Sequence, residues 1–104
     1  MAFFDGATQK STCGCVFLIS NNDHLKYTLF WNGGNGTNNK AEAMALWGLL
    51  WFSHFLDIPV LHIYGDSKII IDHVLGKVSI INPLLSGWMK RVETFWEKQN
   101  GFSI

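Results

Sequence analysis

Three acids in this chain stand where a side chain could do chemistry: Asp5, Glu42 and Asp66. Asp66 follows Val60 to Tyr64 (VLHIY), a short β-rich run that reads as a buried or half-buried strand, and Gly65 breaks that run. Asp66 and Ser67 then precede Ile69, Ile70, Ile71 and Val74 as good helix N-caps. A carboxylate thus falls at the C-terminal end of a strand, the edge at which open α/β sheets bind ligands. Asp5 ends an opening strand over Ala2 to Asp5, and Glu42 sits in the first turn of a long helix. If the first and fourth strands are neighbours and the helix packs over them, the three acids meet at one edge. With no arginine nearby they repel one another at neutral pH, and a cation is the natural remedy. Hard oxygen ligands select Mg²⁺ or Mn²⁺. Two such ions about 4 Å apart can activate a water and stabilise the leaving oxygen in phosphodiester hydrolysis. Spacing alone leaves a plainer reading open: Asp5 and Asp66 as cap or turn residues, Glu42 as a first-turn acid favoured by the helix dipole.

The elements that must position these acids read in order. After Gly6 turns the chain, Thr8 to Thr12 is a polar loop, and Gly14 to Ser20 is a strong strand closed by the turn cluster Asn21-Asn22-Asp23. Leu25 to Trp31 pairs with it as an antiparallel hairpin, and Asn32 to Asn39 (NGGNGTNN) is a loop with no apolar anchor. Ala41 to Leu56 is the best helix, apolar on most sides and so buried, and Asp57-Ile58-Pro59 ends it. Ser67 to Leu75 is a second helix stopped by Gly76, and Asn82-Pro83 starts a third with Pro83 in its first turn. Phe102 to Ile104 begins another strand. Strand, strand, strand, helix, strand, helix, helix, strand is an α/β order: a mixed sheet of three antiparallel strands then βα units, with helices packed on it.

Composition narrows the class. At 104 residues with 48% hydrophobic and 15% charged content, the chain is one folded domain. Zero net charge gives no sign of a polyanion or membrane partner, though local unevenness remains open. Cys13 and Cys15 lie two apart on a strand, where a disulfide would be badly strained, so they read as small core residues in a reducing compartment. No signal peptide is visible, and Trp47 to Leu56 is too short to span a bilayer. His62 reads as a packed or edge residue and His73 as near the site at best. Trp88 and Trp96 read as core, and Lys40, Lys68 and Lys77 as cations that flank the cleft or are simply solvated.

The words around the acids carry more. FDGA at Phe4 to Ala7, GTNNKAEAMAL at Gly36 to Leu46 and IYGDSKIIIDHVLG at Ile63 to Gly76 resemble the type 1 ribonuclease H domain, closest to its plant, retroelement-derived reverse-transcriptase-like branch. The resemblance runs on through Ile81-Asn82-Pro83-Leu84 and covers nearly the whole chain. It implies a two-metal nuclease, with Mg²⁺ or Mn²⁺ as cofactor, that cuts the RNA strand of an RNA–DNA hybrid. Asp5, Glu42 and Asp66 fall on three of the family's four metal-binding carboxylates, and Asn38 and Asn39 on its TNN motif, whose amides contact nucleic acid. An Asn amide reaching a 2′-hydroxyl is one way a protein tells RNA from DNA, although plain N-capping also accounts for both residues. Gly6 and Ala7 would let the backbone approach the substrate closely. Ser67 matches the DS pair, most simply as a cap.

The pattern departs from the family at its end. The fourth carboxylate, the loop histidine and the final helix have no counterpart in these residues, since Asp72, Glu93 and Glu97 fall on helices at other positions. The expectation is a domain incomplete at its C-terminus, its last strand barely begun and one sheet edge unpaired, with reduced or no cleavage. The alternative is a non-catalytic module that binds RNA or hybrid and keeps the fold, or an inert structural fragment. Resemblance leans towards the nucleus or cytosol.

Overall fold

Eight elements follow one another: β1 (Ala2–Gln9), β2 (Thr12–Ser20), β3 (Lys26–Asn35), α1 (Asn38–Phe55), β4 (Leu61–Gly65), α2 (Lys68–Val74), α3 (Pro83–Trp96) and β5 (Phe102–Ser103). They come from a computed structural model that describes residues 1–10, 12–20 and 26–104. The order of types is the expected one, and the turn read at Asn21-Asn22-Asp23 lies outside the described residues. The strands form one mixed sheet in the order β3-β2-β1-β4-β5. β1 runs antiparallel to β2 and parallel to β4, so the first and fourth strands are neighbours.

Period-two alternation sorts each strand's side chains to two faces. Ala2, Phe4, Cys13, Cys15, Phe17, Ile19, Leu61 and Ile63 are buried on the face that α1 covers. α3 lays Leu85, Met89 and Val92 into the same core from behind α1. The opposite face is open: Ala7, Thr28, Phe30, His62 and Tyr64 are exposed there. Both cysteines are free and buried, their thiols donating to the Thr37 and Ala41 carbonyls. Burial pushes the Cys15 thiol up to about 11, with the neighbouring Cys13 adding to the rise. A thiol that stays protonated is a packing group and not a nucleophile.

Helix ends follow local chemistry. The Thr37 hydroxyl caps α1, accepting from Lys40 N–H at 3.2 Å. At the other end Asp57 adopts φ 55°, its N–H bonds to the His54 carbonyl, and Ile58 N–H reaches back to Ser53. This is a Schellman stop with Asp in the left-handed position where Gly is usual. α2 ends the same way at Gly76, φ 77°, with Gly76 N–H on His73 and Lys77 N–H on Asp72. Asn82 caps α3 through Oδ1, which accepts from Leu84 and Leu85 N–H at 3.0 and 3.1 Å, and Pro83 follows in the first turn. Replacing that cap in Asn82→Ala is expected to destabilise the domain by about 1 kcal/mol in chemical denaturation; an unchanged midpoint would show that the cap bears no load.

Three expected boundaries differ. β1 continues past Asp5 to Gln9, which pairs with Thr12 of β2, and Lys10 adopts φ 51°, so most of the expected polar loop is strand. β3 takes in Asn32 to Asn35, of which Asn32 and Asn35 pair with β2 across a bulge, and α1 starts at Asn38, so the long loop largely vanishes. The sheet edge beside β4 is covered: Leu61 pairs with Phe102 and His62 with Ser103. Gly101 makes that approach possible, because a Cβ there would lie 2.1 Å from the Pro59 carbonyl oxygen. No described helix is long and apolar enough to cross a membrane.

Candidate active site

The parallel ladder between β1 and β4 ends at the pair Phe4 and Gly65. Asp5 is the next residue on β1 and Asp66 the first residue past β4, so the ladder gives out where the two carboxylates begin. Gly65 does more than break a strand. A Cβ on it would sit 2.4 Å from the buried Phe4 ring, so the bare glycine lets that ring pack beneath the site.

Gly6 has a packing role that its sequence position did not show. Its missing side chain makes room for α1: a Cβ would lie 2.2 Å from the Ala41 carbonyl carbon and 2.5 Å from Glu42 N. α1 therefore rests backbone to backbone on β1 at the height of Glu42. Glu42 is in the second turn, since α1 begins at Asn38 and its first turn holds no acid. The helix-dipole account of Glu42 falls with that placement, and Asp5 is likewise no strand-end residue, because β1 runs on to Gln9.

Glu42 is the electrostatic centre of the site. Its Oε2 is buried without a hydrogen-bond partner. Burial pushes its carboxyl from an ordinary 4.5 up to about 7, the charge of Asp5 and a carboxyl–carboxyl hydrogen bond with Asp5 push the same way, and the charge of Asp66 adds to them. A hydrogen bond from Gly6 N–H opposes the rise. Asp5 is thus the acid that acts most strongly on Glu42, and Asp66, which is exposed, adds to it by charge. Among the described residues no three His, Cys, Asp or Glu side chains are gathered closely enough to hold a metal ion together. The donor set nonetheless suits a hard divalent cation: an orphaned buried carboxylate oxygen and two further carboxylates, with no cation among the described residues paired to them. Other acids are engaged elsewhere, Asp72 with Lys68 and Glu93 with His73, each at 2.6 Å.

The TNN residues divide their roles. Thr37 is the cap, so neither asparagine is. Asn38 Oδ1 instead accepts from Thr8, from its N–H at 2.8 Å and its hydroxyl at 2.7 Å. A backbone N–H can only donate, which fixes the amide's orientation and leaves the Asn38 NH₂ as a donor. Thr8 carried no sequence signal for this role. Asn39 is exposed on the first turn, Ala7 is exposed on the open sheet face, and Ser67 stands at the N-cap of α2 without a side-chain capping bond, contrary to expectation. Lys40 donates to the Asn35 carbonyl at 2.6 Å, and Lys68, although its side chain is largely solvated, pairs with Asp72 one turn on. Beside Asp5, an open groove of about 1080 Å³ runs along the bare face past Ala7, Gln9, Thr12 and Phe30.

A mixed sheet in this order, carboxylates at the end of its central parallel pair and a helix laid on the first strand define a ribonuclease H-type domain. Solved structures show the same fold. Ribonuclease H1 from the halophilic archaeon Halobacterium salinarum superposes with a TM-score of 0.90 at 23% identity, over 99% of this chain and 80% of that one. The N-terminal ribonuclease H domain of a Mycobacterium tuberculosis protein, solved as a fusion with maltose-binding protein, gives 0.87 at 18% identity over 98% and 78%. LC11 ribonuclease H1, in complex with an RNA/DNA hybrid, gives 0.79 at 18% identity over 98% and 80%. No curated protein sequence matches the chain. The chain belongs to the reverse transcriptase-like family, whose sequence model matches residues 3–104.

Proposed function

We propose that this domain is a divalent-cation-dependent endoribonuclease acting on the RNA strand of RNA–DNA hybrids. The observation that carries the reading is Glu42, a half-buried acid with an orphaned oxygen, held against Asp5 at the point where Asp66 leaves the sheet. Asp5, Glu42 and Asp66 would hold Mg²⁺ or Mn²⁺, which supplies Lewis-acid activation of water and charge stabilisation at the scissile phosphate. The chain's own residues do the rest. Carboxylates placed on two neighbouring strands and a helix keep the donor oxygens on rigid elements, and α1, seated on Gly6, sets the height of Glu42. The Asn38 amide, oriented by Thr8, offers a donor to sugar or phosphate oxygens, and Asn39, Gly6, Ala7 and Ser67 border the same edge. The hybrid seen bound to LC11 ribonuclease H1 supports this substrate class.

The absence of a gathered three-acid cluster among the described residues favours a second reading, a module that binds hybrid without cutting it. A labelled RNA–DNA hybrid incubated with the chain and Mg²⁺ or Mn²⁺, beside an Asp66→Asn control, separates the two. Metal-dependent cutting reduced at least about 100-fold in the control is the expected result, since loss even of groups that only support a metal ligand typically costs 10- to 100-fold. Retained binding without cutting would establish the module instead.

A further inference from the structure

Asp66 leads directly into α2, a short helix held down by little. Ile70 is its one fully buried side chain, and Ser67 makes no capping bond through its hydroxyl. What ties its C-terminal end is His73. The ring is mostly buried, its side chain 17% exposed, and both nitrogens face oxygen acceptors: Nε2 lies 2.6 Å from Glu93 Oε1 on α3, and Nδ1 lies 3.2 Å from the Val78 carbonyl in the following loop. A neutral imidazole has one N–H and can satisfy only one of these, leaving a lone pair against the other oxygen. The doubly protonated ring satisfies both.

From this geometry we infer that His73 and Glu93 form a proton-dependent clamp that fixes α2 against α3 and thereby positions Asp66. The clamp is closed when the ring is an imidazolium, which donates to both oxygens, and loosens as it loses its proton, because a neutral ring donates to only one. The surrounding charges leave Glu93 as its partner. On α2 the nearest acid, Asp72, is held by Lys68 at 2.6 Å; the loop contributes Lys77, which is exposed; and on α3 Lys90 and Glu97, three and four residues from Glu93, are exposed. His73 is thus a positioning residue, acting on Asp66 through the helix. The part assigned to Asp66 rests on the proposed function, but the clamp itself does not.

Amide hydrogen exchange across Asp66 to Leu75, corrected for the intrinsic pH dependence of exchange, tests it without any catalytic readout. Protection of this segment relative to α1 should fall about fivefold to tenfold between pH 5.5 and 8.5, because a charge-assisted bond is lost. In Glu93→Gln, whose parent side chain is 43% exposed and tolerant of replacement, that relative change should flatten, and in His73→Gln as well. Exchange of α2 that tracks α1 at every pH would overturn the clamp, and so would an unaltered pH response in Glu93→Gln. A chain that neither binds nor cuts hybrid would still show the effect, so the two readings fail separately.

Discussion

Gly6→Ala is expected to weaken the domain by about 4 kcal/mol or more, enough to unfold a chain of ordinary stability. The added Cβ would meet the Ala41 carbonyl carbon at 2.2 Å, its oxygen at 2.3 Å and Glu42 N at 2.5 Å. All three are backbone atoms inside a helix, so no rotamer change relieves the overlap. α1 would have to lift from β1, and Ala41, Ala45 and Leu49, all fully buried on the side of the helix that faces the sheet, would lose their packing. The informative control is Gly87→Ala on the exposed side of α3, where an added Cβ meets nothing within 4 Å. There helix propensity alone acts, and a gain of about 0.5–1 kcal/mol is expected. Urea denaturation of both variants gives the contrast, and a Gly6→Ala midpoint near the wild-type value would show that the close seat of α1 on β1 is wrong.

Gly6 also shows where sequence reading stops. A glycine in a strand signals either a turn or a close backbone approach, and only the position of α1 decides between them. Reading it as a turn truncated β1 at Asp5 and started the polar loop two residues too early. The same ambiguity hid the end of β3: Asn32 to Asn35 carry no apolar anchor, yet an edge strand needs only a partner ladder, which β2 provides. At Thr37-Asn38-Asn39 three consecutive residues are all good N-caps. Local chemistry does not rank them, and the bond from Thr8, thirty residues away in sequence, settles the matter by taking Asn38.

What was legible followed from patterns that do not depend on such long-range choices. Alternation placed the strands, and the wide apolar face of Ala41 to Leu56 required a buried helix. That the first and fourth strands are neighbours stood in the sequence only as a condition; the β1–β4 ladder supplies it and brings Asp5 and Asp66 side by side. Protonation at Glu42 and the two acceptors around His73 were not legible, because each is a sum over neighbours from different elements. The wide aromatic content resolved similarly: Phe17, Trp31, Tyr27 and Phe52 pack edge to face between the sheet and α1, while Trp51 and Phe55 lie exposed on the outer side of that helix.

Glu42→Gln is expected to abolish divalent-cation-dependent cleavage and, at the same time, to stabilise the metal-free domain above neutral pH. The sign follows from proton linkage. In the unfolded chain the Glu42 carboxyl loses its proton near its ordinary value of 4.5, whereas in the folded domain it keeps it up to about 7. Between those values the folded state binds more protons, so stability falls as pH rises through this window and levels off above it. Metal-free wild type should therefore melt several degrees lower at pH 8 than at pH 5 through this group, and the difference between wild type and Glu42→Gln isolates it from the other carboxylates. Mg²⁺ or Mn²⁺ opposes the loss by binding the ionised form, so it should raise the wild-type melting temperature more at pH 8 than at pH 5.5, with proton release on binding at the lower pH. Glu42→Gln should show neither the slope nor the full cation response. A variant that melts like wild type at every pH, with or without cation, would mean that Glu42 is an ordinary solvated acid and that Asp5, Glu42 and Asp66 do not act as one site.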